Sequence, residues 1–221
     1  MARSKTRKAP TKPRTKVTTA DLRAELASWT RAELEELALD LLDQNDVARD
    51  SVVRKIVANR GVTAAASLFL DQIDAALDVR EVTWREVFAF HAKLGRLVDD
   101  VRKLGKADPA AAVAVAGHFL ERLPAVAECV DGEDELSLVA ESLGQVLLEF
   151  ARPAGLDLLV VAGGLLDAYR ADDYGLANTF PAQVAAAAKT ESERTGVADL
   201  LRGLDPSDPS VRQALEGLAR D

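Results

Sequence analysis

The chain predicts an all-α fold, either an antiparallel helix bundle or a short irregular α-solenoid of tetratricopeptide- or HEAT-like helix pairs. Three observations predict it. Apolar residues recur at steps of three and four from about Asp21 to the C-terminus, with no convincing period-two strand. Cap signals punctuate these runs. Hydrophobic residues make up 48% of the chain but aromatics only 5%, so Ala, Leu and Val carry the core, as close-packed helices favour. Helix lengths are uneven and no internal repeat of fixed period is present, which argues against a regular solenoid.

The elements follow in order. Residues 1–18 contain little apolar side chain and two prolines, Pro10 and Pro13, and are expected to form a disordered basic tail. Residues 19–221 are expected to form a single helical domain, with a weak subdivision near 151–172. A short helix spans 20–27. Thr30 and Glu33 then make a capping box, with Trp29 and Leu34 at the staple positions, and Leu34, Leu37, Ala38, Leu41 and Leu42 mark one face. A second helix runs through Val47, Val53 and Val57, and a third over 63–77.

Thr83 and Glu86 repeat the capping box, with Val82 and Val87 as staple, and open a long helix to about Gly105. Asp108-Pro109 gives an N-cap with proline at N1 for a helix to about Leu123. Others cover 134–151 and 153–170. The stretch 158–164 could instead be a buried strand, but a lone strand has nothing to pair with, so helix is the expectation. Residues 173–190 suggest one or two helices interrupted by Pro181. Short amphipathic helices over 193–204 and 210–220 complete the chain.

Charge is divided unevenly. Arg3, Lys5, Arg7, Lys8, Lys12, Arg14 and Lys16 precede the first acid, Asp21, giving a tail of +7. The chain has 28 basic and 36 acidic side chains, so the other 21 basic residues leave the body at −15. Such a tail can engage nucleic-acid phosphates weakly, but it has no aromatic residue for base stacking. The single cysteine, Cys129, cannot form an internal disulfide and points to a reducing compartment. No run reaches the ~18 residues needed to span a bilayer, and no apolar segment follows the basic N-terminus as in a secretory signal. A cytoplasmic location without membrane contact is expected.

Residues of roughly 60–200 carry a linked pattern. Val82-Thr83-Trp84-Arg85-Glu86 is followed by Leu97-Val98-Asp99-Asp100, then Gly117-His118-Phe119-Leu120-Glu121-Arg122-Leu123. The acidic turn Asp131-Gly132-Glu133-Asp134, Ala151-Arg152-Pro153 and Asp172-Asp173-Tyr174-Gly175 complete it. In this the chain resembles the all-helical region accompanying bacterial SWIM zinc-finger proteins and related uncharacterised helical proteins. The Cys-x-Cys…Cys-x-His finger itself is absent from the sequence. The resemblance therefore implies a helical interaction domain and no known reaction.

Few residues point to chemistry. His91 and His118 sit at core-facing or core-edge positions on different helices, without an H-E-x-x-H spacing, and are expected to be hydrogen-bonded rather than metal ligands. Paired acids such as Asp99-Asp100 point away from each other on a helix, and Asp172-Asp173 with Tyr174 is expected to cap a helix entry. No catalytic residue, cofactor or metal is expected. Trp29 and Trp84 are expected to pack as staples beside their capping threonines. With Tyr174 they are also the candidate interaction residues, since aromatic anchors dominate protein interfaces. The expected function is a non-enzymatic helical adaptor or scaffold for a protein or peptide partner. The alternatives are a nucleic-acid-associated protein using the basic tail, and an enzyme of unrecognised type.

Overall fold

A computed structural model describes residues 23, 25–45, 62–130 and 133–220. The tail and the helix expected through Val47–Val57 lie outside these residues. The described protein is all-helical, with nine helices, 75% helix and no strand. The chain divides into two compact units between Val53 and Arg54.

The first unit contains α1, Arg31–Asp43. Its entry is the expected capping box: Thr30 Oγ1 accepts from Glu33 N at 3.3 Å, and Thr30 N donates to Glu33 Oε2 at 2.7 Å. The backbone amide of Thr30, and then its hydroxyl, hold the Glu33 carboxyl below its ordinary range. The apolar face differs from expectation. Leu37 and Leu42 are half-buried, whereas Trp29, Leu34, Ala38 and Leu41 are exposed, so Trp29 and Leu34 form no buried staple.

The second unit holds α2 (Val62–Leu77), α3 (Val87–Ala107), α4 (Pro109–Ala127) and α5 (Glu133–Ala151), then α6 (Leu158–Arg170), α7 (Phe180–Ala187), α8 (Glu191–Arg202) and α9 (Pro209–Leu218). Helix α5 is central, packing on α3 and α4 on the N-terminal side and on α6 and α7 on the other. Every extended pairing joins helices no more than two apart in chain order. One apolar cluster runs through the unit, with Ile73, Leu94, Phe119, Leu143, Leu165, Phe180 and Leu201 almost completely buried. Each such side chain contributes about 1.5–3 kcal/mol by leaving water.

Local signals set most boundaries. Asp108 accepts from Ala111 N at 2.9 Å with Pro109 at N1, as its sequence predicts. Helix α4 continues to Ala127 instead of ending near Leu123, carrying Pro124 inside its last turn. Helix α6 begins at Leu158, where Asp157 accepts from Leu159 N, and Pro153 lies in the preceding turn. Residues 158–164 are helix.

The Thr83 entry is only half a capping box. Glu86 Oε2 accepts from Thr83 N at 3.3 Å and from its hydroxyl at 2.7 Å, but regular helix starts at Val87 after a turn. Val82 and Val87 are both buried. Val82 N donates to Cys129 O at 2.8 Å, forming an isolated bridge with Val130 that ties the α2–α3 connection to the end of α4.

Glycines let the helices approach closely. A Cβ on Gly144 (α5) would meet Phe180 Cε1 of α7 at 2.9 Å, and one on Gly196 (α8) would meet Leu159 Cδ1 of α6 at 2.6 Å. At the α5–α8 corner, Arg152 donates to Ala187 O at 2.8 Å and pairs with Glu193 Oε1 at 2.8 Å. Glu193 also completes a capping box with Thr190.

Candidate functional site

An apolar concavity lies between α4 and α6. Both helices rest on α5, and no extended contact joins one to the other. The gap is a cavity of about 370 Å³. Val113, Gly117, Leu120 and Pro124 form one wall at helical spacing, and Val161, Gly164, Leu165 and Ala168 form the other. Ala140 and Leu147 of α5 make the floor, and Phe180 closes one end. From Val113 to Pro124 the wall runs about 16 Å at 1.5 Å per residue. Gly117 and Gly164 have no atom within 4 Å of where a Cβ would sit, so both open onto free space.

Polar character is confined to Glu121 and Asp172 among the lining side chains. Asp172 does not cap a helix entry as expected. Its two carboxylate oxygens accept from Tyr174 N at 3.0 Å and Ala177 N at 2.6 Å, folding the α6–α7 loop, and α7 starts only at Phe180. A short polar side chain that satisfies local amides suits a turn as well as a cap.

A second cavity, about 380 Å³, lies between α3 and α5 and includes His91, Asp99, Glu135 and Ser142. The His91 ring is buried, with Nδ1 against Glu135 Oε2 and Nε2 without a hydrogen-bond partner. With Nε2 unpartnered, Ser142 is not hydrogen-bonded to His91, and these groups do not form a nucleophile–base–carboxylate line. His118 Nε2 meets Asp74 Oδ1 at 2.8 Å, tying α4 to α2. Among the described residues no three His, Cys, Asp or Glu side chains converge in metal-binding geometry.

The candidate aromatic residues are placed as follows. Trp84 lies in the turn before α3, 67% exposed, with the Arg85 guanidinium 5.1 Å from its ring centre. It is not packed as a staple. Phe88, four residues on in the first turn of α3, is 71% exposed. Tyr174 is half-buried in the α6–α7 loop and donates to Glu128 Oε1 at 3.0 Å. Trp84 and Tyr174 thus belong to segments anchored at Cys129 and Glu128, both at the end of α4. Trp29 belongs to the first unit, and the seven tail cations lie outside the described residues. A groove between helix pairs is what an adaptor of this kind calls for, but its place between α4 and α6 does not follow from the sequence. Its only local trace is Gly117 and Gly164, which interrupt otherwise apolar helix faces.

Among the described residues one helix, Pro109–Ala127, is long and apolar enough to cross a bilayer, where no such segment was expected. It packs against α2, α3 and α5. No family model, curated protein or solved structure matches this chain.

Proposed function

We propose that the chain is a non-enzymatic helical adaptor in the cytoplasm, and that a partner protein docks in the groove between α4 and α6. One observation carries this reading: two helices held apart on a common third leave an apolar channel with glycine on both walls. Amphipathic helices bind such channels through anchors at i, i+3, i+4 and i+7.

The test is affinity capture from the native cell with the parent chain, a variant lacking residues 1–16, and Gly164→Trp. The adaptor reading expects one specific protein retained by the parent and the tail-deleted chain after nuclease treatment. Gly164→Trp should lose it while melting cooperatively. Retention that survives Gly164→Trp would remove the groove from the account.

The second reading, nucleic-acid association, is favoured by the seven tail cations that precede any acid. It expects retention to vanish on tail deletion or nuclease treatment. Full engagement with duplex would give a log K against log salt slope of roughly −6.

A further inference from the structure

The groove is chemically one-sided. Among the described residues Glu121, exposed on α4, and Asp172, beyond the end of α6, are its only polar lining side chains, and ionised carboxylates accept hydrogen bonds without donating any. No Lys, Arg or His of the described residues lines it. The two loop amides fix Asp172 in place but do not exhaust the lone pairs of its carboxylate.

An apolar floor under an acceptor-only, anionic rim selects its complement. We infer that the occupant is a basic amphipathic helix of a partner protein. Its apolar anchors lie over Gly117 and Gly164, and its Lys or Arg side chains reach Glu121 and Asp172. An acidic helix of the same pattern would bring like charges to both carboxylates and leave the acceptors without donors. This inference rests on the adaptor reading and names the partner's chemistry.

The test uses synthetic peptides of roughly twelve residues that share leucines at i, i+3, i+4 and i+7. They differ only in carrying Lys, Gln or Glu elsewhere, and a fourth scrambles the Lys peptide. Binding to the full chain is followed by fluorescence anisotropy at about 0.15 M salt, where distant surface charge is screened. The Lys peptide should bind about tenfold tighter than the Gln peptide, as two rim ion pairs allow. The Glu peptide should not bind, and the scrambled peptide should lose most of its affinity. Glu121→Gln should narrow the Lys-over-Gln ratio, and Glu121→Lys should shift preference toward the Glu peptide. Gly164→Trp should abolish binding, with Gly117→Trp on the opposite wall as the second blocking variant should the first not fold.

Equal binding of Lys and Gln peptides, both lost on blocking, would overturn the inference and leave the adaptor reading standing. Binding that neither blocking variant disturbs would overturn both, as would a scrambled Lys peptide that binds as well as the patterned one. A parent chain that sediments as a dimer, and a blocked variant that sediments as a monomer, would make a second copy the occupant and equally overturn the inference.

Discussion

The Phe150 ring occupies the space where Gly105 would carry a side chain: a Cβ there would lie 2.4 Å from Phe150 Cε2. This is how α3 reaches α5 near its C-terminal end, with both residues buried. Gly105 is thus a packing residue, although glycine inside a helix ordinarily weakens it.

Gly105→Ala should destabilise the protein by about 1–3 kcal/mol through overpacking. Gly164→Ala, whose Cβ would meet nothing within 4 Å, should be neutral or stabilising by up to about 1 kcal/mol from helix propensity. Chemical denaturation of the two variants checks the contrast. Equal effects would remove the close-approach account of Gly105.

The threonine caps should differ. Thr190→Ala breaks a complete box at α8 and should cost about 0.5–2 kcal/mol. The Thr83 hydroxyl contacts Glu86 without capping a helix amide, so Thr83→Ala should fall at the low end of that range. Thermal melts decide it, and a larger loss at Thr83 would reverse the assignment.

Acid should loosen the α5–α8 corner. The Thr190 amide, then Arg152 and the Lys189 amide, hold the Glu193 carboxyl down to about 2 from 4.5. The native state therefore favours the charged form more than the unfolded chain does. The resulting stability is present above about pH 4.5 and is lost as pH falls toward 2. Glu193→Gln should flatten this part of the stability–pH curve, measured by denaturant midpoint.

Alkali should act at the other end. Burial, then the hydrogen bond and negative charge of Asp208, push the Tyr169 hydroxyl up to about 12. Because the native state keeps its proton longer than the unfolded chain, stability is intact below about pH 10 and declines from there to 12. Tyr169 of α6 donates to Asp208, the N-cap of α9, so this decline should detach α9 first. Tyr169→Phe should remove the pH dependence in that window and lower stability at neutral pH.

Much of the helix pattern was legible because its signals are local. Thr30, Asp108 and the 3.6-residue apolar spacing act within a turn or two. The Thr190-x-x-Glu193 box at the start of α8 carries the same local signal as Thr30. The expected end of α4 near Leu123 falls short because packing of the last turn, with Val126 and Ala127 buried, carries the helix through Pro124 to Ala127. Trp84 looked like a staple because it neighbours a capping threonine, whereas Val82 and Val87 fill that role. The place of the groove was not legible. It exists because α4 and α6, separated in sequence by all of α5, dock side by side on that helix without meeting, and no spacing rule records such a gap.

Because every extended helix pairing spans at most one intervening helix, the order of the chain is also an order of assembly. Few long loops must be closed before contacts repay their entropy, and low contact order is associated with folding in microseconds to milliseconds. Each helix after α2 emerges with an earlier partner already made. Helices α2 to α5 could consolidate before α9 leaves the ribosome, so a stalled chain would hold a native-like N-terminal portion that nuclear magnetic resonance of stalled complexes could detect.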